Sequence, residues 1–352
     1  QWVSPAFRGL PCGGSGDVAL DAMRASGQFH PAAFWVRRTG RRQNGRPVLP
    51  ADPLPPFGYA PSSVLPDIWR GVGAVPRSLA GAVVAIGNFD GVHLGHKALI
   101  AEALALGRKA GVGAALVTFE PHPRTVFRPE QPVFRLTPPD LRAMLAGECG
   151  VSAIAEMPFD RTFAAQPAMA FIADMLMGRL GAAGVVVGSD FAFGRGREGD
   201  AALLHRALEA RNRPVCVLDP VLFADGLPVS SSRIRAALEA GEIALANTLL
   251  GHRWRVRSGI VHGDKRGRLL GYPTANMLLS PDCRLRHGIY AVRMRLEGAM
   301  GGGTWRPGVA SFGRRPTFDD GAPRLETFLF DFSGDLYGRI AEVEFAGWIR
   351  GE

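Results

Sequence analysis

The tightest constraint on the fold is a rhythm of short apolar runs. Five of them, Ala82–Ile86, Ala114–Phe119, Val151–Glu156, Gly184–Val187 and Val215–Leu218, recur without polar alternation. A strand with one wet face would alternate. A continuous Val/Ala/Ile run instead fits a strand buried on both faces of a parallel sheet. Helix-period segments fall between the runs, at Lys97–Ala110, Pro138–Ala146, Ala168–Leu180 and Ala201–Arg211. The β-α alternation predicts an open parallel α/β sheet, with ligands at the carboxyl ends of its strands.

The pattern changes after Leu250. Trp254–Val261, Ile289–Leu296, Gly308–Phe312, Leu325–Phe330 and Ile340–Phe345 read as strands, several with period two, and Gly-rich turns such as Gly301-Gly302-Gly303 separate them. No long helix pattern appears, so this part predicts a small antiparallel β-barrel. The 352 residues divide into three expected parts: 1–65, 66–250 and 251–352. The first has weak periodicity, a basic run at Arg37, Arg38, Arg41 and Arg42, and a Pro-rich stretch from Pro50 to Pro66. It reads as a poorly ordered extension.

Composition narrows the function classes. Hydrophobic residues are 47% and charged residues 21%, as in a globular protein. No apolar run is long enough for a bilayer-spanning helix, and the N-terminus lacks signal-peptide regions, so the expected compartment is the cytoplasm. Cys12, Cys149, Cys216 and Cys283 form no C-x-x-C pair, and isolated reduced thiols are expected. The net charge is +9, of which residues 1–60 carry seven Arg against three Asp, or +4. No nucleic-acid-binding motif accompanies the excess. Anionic small molecules also account for it, so neither nucleic acid nor membrane is an expected partner.

The first run leads directly into Gly87-Asn88-Phe89-Asp90-Gly91-Val92-His93-Leu94-Gly95-His96 and then a helix. The glycines permit tight turns and close backbone approach. A helix N-terminus offers unpaired N–H groups to a triphosphate. His93 and His96 can donate hydrogen bonds to phosphoryl oxygens, the kind of charge stabilisation that nucleotidyl transfer requires. Two other readings stay open: a capping histidine beside a surface one, and a metal pair joined by Asp90. Further on, Ser231 or Ser232 can cap a helix Arg233–Ala240, where Arg235 offers a phosphate-binding fork. An ordinary capped amphipathic helix is the alternative there.

The loop resembles the H-x-G-H nucleotidylyltransferases. In its G-x-F-D-G-V-H-x-G-H form it is similar to the FMN adenylyltransferase half of the bifunctional bacterial riboflavin kinase/FAD synthetase family. Val229 to Arg235 resembles that family's second signature, with Ser232 where Thr is usual. The resemblance implies a Rossmann-like nucleotidylyltransferase domain. Gly87, Phe89, Asp90, His93, Gly95, His96, Ser231, Ser232 and Arg235 would stand at its ATP site. The family's V-G-x-D-F-x-F-G loop falls at Val187–Gly194, which implies flavin contacts for Asp190, Phe191 and Arg197, although Phe191 and Phe193 also suit a core under the loop. Thr118–Arg124 matches a third family segment and puts His122 and Arg124 at the site mouth, where a plain turn is the alternative.

In the second half, Gly263, Gly267 and Gly271 are spaced by four ahead of Tyr272-Pro273-Thr274-Ala275-Asn276. Such a loop can fold around a phosphate, while the Thr274 hydroxyl and an Asn276 amide oxygen suit Mg²⁺. It is neither a Walker A loop nor a protein-kinase glycine loop. The stretch resembles the riboflavin kinase signature ending in P-T-A-N. By that resemblance Glu326, in a largely apolar run, is the base that activates the riboflavin hydroxyl; a salt bridge to Arg314 or Arg315 is the competing reading. Ile349 to Glu352 loosely matches the family's L-R-x-E segment, which puts Arg350 near the flavin. Family members continue from there into a final helix, so the kinase domain reads as truncated at its C-terminus. The resemblance therefore implies conversion of riboflavin to FMN and of FMN to FAD, with ATP as co-substrate and Mg²⁺. A monofunctional FMN adenylyltransferase with an incomplete kinase module is the competing expectation.

Overall fold

The computed structural model describes residues 42–43, 46–47, 65–262, 274–297, 303–314 and 323–351. The 1–65 extension lies outside these residues, apart from Leu65 and the strand pair Arg42–Gln43 and Arg46–Pro47. Cys12 and the three glycines Gly263, Gly267 and Gly271 also lie outside them.

The first unit is built on six parallel strands. They are β1 (Asp67–Trp69), β2 (Val83–Ile86), β3 (Ala114–Glu120), β4 (Ala153–Pro158), β5 (Gly184–Gly188) and β6 (Val215–Leu218). Their order in the sheet is β6-β5-β2-β3-β4-β1. Every residue of β2 is buried, which is why its sequence shows no polar alternation. β2 has β3 on one side and β5 on the other, so the winding reverses at its carboxyl end. Open α/β sheets bind ligands at such a switch point. The Gly87–His96 loop leaves β2 there and enters α1 (Leu94–Ala110). The edge strand β1 was not anticipated. It has three residues and only Trp69 is buried, too short to show a period.

Further helices among the described residues include α2 (Pro123–Phe127), α3 (Pro139–Glu148) and α4 (Ala201–Glu209). The segment expected as one helix from Ala168 begins as an α-turn and continues as a π-helix over Phe171–Arg179. After β6 come α5 (Ser231–Ala240) and α6 (Ile243–Leu250). The α5 cap corrects the expectation. Ser230, not Ser231 or Ser232, accepts from the Arg233 amide, because Ser230 is the residue with extended backbone.

The second unit is a closed barrel of six antiparallel strands, in the order β7-β8-β11-β10-β9-β12. These are β7 (Arg255–Val261), β8 (Thr274–Leu278), β9 (Gly288–Leu296), β10 (Arg306–Arg314), β11 (Pro323–Leu329) and β12 (Ile340–Arg350). Burial alternates residue by residue along β9, β10 and β11, the period-two signature of a filled small barrel. β8 carries Thr274 and Asn276, and the glycine loop expected ahead of it lies outside the described residues.

One apolar core runs through both units. It joins Phe134, Leu136, Ile234, Leu238 and Leu250 to Trp254 and to the barrel interior at Tyr290, Phe312 and Phe345. Trp254 is 1% exposed. Its ring meets Phe134 edge-on and packs 4.9 Å from Phe345, and its indole N–H donates to the Leu136 carbonyl at 3.0 Å.

Candidate functional sites

The loop at the switch point is held in an unusual shape. Phe89 and Val92 have φ of 50° and 41°, and Gly91 has φ of 93°. Positive φ is costly for a β-branched residue, so surrounding contacts must enforce it. Those contacts come from distant parts of the chain. Thr118 donates its hydroxyl to the Asn88 carbonyl at 3.2 Å. Ser231 donates to the Asp90 carbonyl at 2.8 Å, and the Gly91 amide donates to the Thr137 hydroxyl at 2.9 Å.

Asp90 is the centre of this fastening and is 1% exposed. Its carboxylate accepts from the amides of Leu136 at 3.2 Å and Thr137 at 2.9 Å, and from the Arg235 guanidinium. The Arg235 Nε donates to the Phe134 carbonyl at 2.6 Å. A buried carboxylate is tolerable only with such partners. The structure thus ties both Asp90 and Arg235 into the frame of the loop.

The loop presents the two histidines at the start of α1. His93 is the N-cap, and its Nδ1 accepts from the His96 amide at 3.3 Å. A neutral His93 therefore carries its proton on Nε2. The two rings stack with centroids 3.6 Å apart. Gly95 makes room for this: a Cβ there would lie 3.1 Å from the His93 ring. His96 Nδ1 is buried without a hydrogen-bond partner among the described residues. Burial pushes His96 down to about 3, and burial together with the His96 ring holds His93 well below the usual histidine range. Both rings are neutral at pH 7, which lets them stack without repulsion. The first amides of α1, at Leu94 and Gly95, precede its first i→i−4 bond. The N-terminus of α5 meets the same loop through Ser231, so two helix dipoles bring their positive ends together here.

A polar wall stands at the ends of β3 and β4. Arg135 grips Glu120 with two bonds, at 2.9 and 3.1 Å, and Arg142 pairs Glu156 at 2.6 Å. His122 caps α2 through Nδ1. Burial, then the Arg135 charge, push its ring down to about 4. Beside this wall runs an aromatic chain. Phe127 meets Phe159, Phe159 meets Phe119 and Phe163, and Phe171 links Phe163 to Phe193. Phe191 stacks on Phe193 at 5.2 Å. Asp190 and Arg197 are exposed on that loop.

In the barrel, register rather than a loop brings the expected residues together. Asn276 on β8 stands directly opposite Glu326 on β11, and Thr274 opposite Phe328. Directly opposed residues share a face of the sheet. Glu326 alternates with the buried Leu325 and Thr327, so it lies on the half-exposed face and not in the core. Asn276 is 5% exposed and its amide N–H₂ donates to the Thr274 carbonyl at 3.4 Å, which leaves its Oδ1 for another partner. Arg314 donates to the carbonyls of Pro281 and Cys283, and Arg315 lies outside the described residues. Arg350 is exposed at the end of β12, opposite Ile289.

Residues 75–233 match the FAD synthetase family model, and residues 250–352 match the riboflavin kinase family model. The chain is 39% identical over 273 residues to the bifunctional riboflavin kinase/FMN adenylyltransferase of Escherichia coli (strain K12), covering 77% of this chain and 85% of the relative. The chain belongs to the bifunctional riboflavin kinase/FMN adenylyltransferase family. Its Haemophilus influenzae relative is 36% identical over 289 residues, covering 80% of this chain and 90% of that one. A crystal structure described as a macrolide-efflux protein from Streptococcus pneumoniae superposes with a TM-score of 0.71 at 29% identity, covering 82% of this chain and 92% of that one. Among the described residues no helix is long and apolar enough to cross a membrane.

Several residues of the first site were not singled out from sequence. Arg135, Thr137 and Leu136 hold Asp90 or the wall beside it, yet they sit in a segment without a motif. Glu120 lies inside a family-like segment, but its partner Arg135 is 15 residues away with no pattern to link them.

Proposed function

We propose that the chain phosphorylates riboflavin to FMN in its barrel and adenylylates FMN to FAD at the switch point of its sheet, with ADP and pyrophosphate as by-products. Residues 66–250 carry the second reaction and 251–352 the first. The observation that carries the reading is the neutral, stacked His93–His96 pair at the N-terminus of α1. It supplies uncharged N–H donors beside backbone amides, aimed at developing charge on a phosphoryl group.

At the first site the FMN phosphate attacks the α-phosphorus of ATP and pyrophosphate leaves. His93, through Nε2–H, and His96 hydrogen-bond the phosphate oxygens. Gly87 and Gly95 let the chain approach the nucleotide. Phe89, Asp90, Ser231, Ser232 and Arg235 hold the loop and the adjoining helix end around it. The aromatic chain from Phe127 to Phe191 offers stacking surface for an isoalloxazine ring. Asp190 and Arg197 flank it.

At the second site Glu326 takes the proton of the riboflavin 5′-hydroxyl as that oxygen attacks the γ-phosphorus of ATP. Hard oxygen donors, the Thr274 hydroxyl and the Asn276 Oδ1, fit Mg²⁺. When bound, the ion neutralises charge on the transferring phosphates. Gly263, Gly267 and Gly271 would cover those phosphates, and Arg350 would stand beside the flavin. The reading calls for small-molecule partners alone, with neither nucleic acid nor membrane, and it places the chain in the cytoplasm, where ATP is made.

The test is a turnover assay with riboflavin, ATP and Mg²⁺. FMN followed by FAD supports the reading. Conversion of added FMN to FAD, with riboflavin left untouched, selects the monofunctional alternative.

A further inference from the structure

We infer that His252, in the segment joining α6 to the barrel, is a positioning residue for adenylyl transfer: it holds the Gly91 carbonyl and, through it, the turn that delivers His93. The inference rests on the reading of the switch-point loop as the adenylyl-transfer site.

His252 Nε2 lies 3.0 Å from the Gly91 carbonyl, 161 residues away in sequence. Gly91 lies within the strained part of the loop, after Phe89. Its φ is 93°, Val92 follows at 41°, and His93 comes next. The turn has no slack, since a Cβ on Gly91 would come within 2.9 Å of Leu136 and 3.2 Å of Leu250. A rotation of the Gly91 peptide would therefore carry the His93 cap with it.

The ring is also well placed to hold that peptide. Lys97, one residue past His96 on α1, donates to the Gly251 carbonyl at 3.0 Å. On the other side, the Trp254 amide donates to the Asn247 side chain at 2.7 Å, and Asn247 in turn donates to the Phe345 carbonyl on β12 at 2.9 Å. The segment 251–254 is thus anchored to α1, to α6 and to the barrel.

A proton count identifies the bond that matters. His252 Nδ1 stands 2.9 Å from the carbonyl of Arg253, so each ring nitrogen faces an acceptor. Burial, then the charges of Lys97 and Arg255, push the ring down to about 3, and a neutral ring has one N–H to give. Arg253 is exposed and its carbonyl can be hydrated, whereas Gly91 is buried. An unsatisfied buried carbonyl is the costlier of the two. The proton belongs on Nε2, donated to Gly91.

The experiment compares His252→Ala, His252→Asn and His252→Gln. A Gln amide nitrogen reaches about as far as Nε2, while Asn ends near the depth of Nδ1. FAD formation from FMN and ATP gives kcat and KM, and riboflavin phosphorylation by the same preparation reports on the rest of the fold. We expect Ala and Asn to lower kcat for FAD formation about five- to tenfold, as for one lost hydrogen bond. Phosphorylation should stay within about twofold, and Gln should restore most of kcat. Equal losses in all three variants, shared by phosphorylation and by thermal stability, would reduce His252 to packing and overturn the inference. So would an unchanged kcat in the Ala variant. If the unmodified chain makes no FAD from FMN and ATP, the reading of the site itself falls, a result distinct from either.

Discussion

The two candidate sites are built by opposite means. In the α/β unit the candidate residues sit on a loop whose shape is imposed from outside, by Thr118, Thr137, Ser231, Arg235 and His252. In the barrel they sit on the ladder, where pairing of β8 with β11 sets Asn276 against Glu326. A loop site depends on many long-range bonds, each of which can fail alone. A ladder site depends on register, and register is shared by every residue of the strand pair. The first is therefore open to graded damage by remote substitutions, while the second should respond mainly to changes in its own residues.

The largest effects should separate the sites. Replacing both His93 and His96 by Ala should lower FAD formation by about 10²–10⁴-fold while FMN formation from riboflavin continues, read by chromatography of the flavins. Glu326→Gln should do the reverse, with a loss of about 10²–10⁴ in FMN formation and unaltered conversion of added FMN. If either variant silences both reactions in a folded protein, the division between the sites is wrong.

The shared core should join what those variants separate. Trp254→Ala empties a space between the two units and should cost about 3–5 kcal/mol of stability, measured by denaturant unfolding, with both activities falling together. A smaller and more local effect is expected at Gly95. The added methyl of Gly95→Ala would press on the His93 ring at 3.1 Å. It should cost about 1–3 kcal/mol in kcat/KM for FAD formation and leave riboflavin phosphorylation alone. Equal sensitivity of the two reactions would show that the loop is not the locus.

The smallest effect is a pH dependence. His96 and His252 sit near 3 in the folded chain, against about 6.5 when unfolded. Below pH 6.5 the unfolded chain binds protons that the folded chain does not. Stability is therefore full above about 6.5 and is lost as pH falls toward 3. Each ring contributes about 1 kcal/mol of loss by pH 6 and about 2 kcal/mol by pH 5. Denaturant midpoints at pH 5 and 7 check the sign, and replacing His252 by Gln should flatten the slope.

Much of the fold was legible because it was written locally. Continuous apolar runs mark strands buried on both faces, and β6 matches its expected span, Val215–Leu218, at both ends. The three-residue β1 was too short to carry a period. β8 was hidden behind its own motif, since Thr274 and Asn276 drew a reading as ligands before one as a strand. The cap of α5 was placed one or two residues late because three serines stand in a row, and only backbone φ/ψ distinguishes them. For the candidate site, the H-x-G-H loop was readable, but its supports were not. Asp90 meets Arg235 across 145 residues and His252 meets Gly91 across 161, and no sequence period connects such pairs. They exist because the switch point of the sheet, the start of α5 and the passage into the barrel converge on one loop.

A structure with a non-hydrolysable ATP analogue and FMN would test the central claim most directly. Phosphate oxygens should lie about 3 Å from His93 Nε2, from the His96 ring and from the Leu94 and Gly95 amides. A triphosphate bound elsewhere, with the stacked pair untouched, would contradict it.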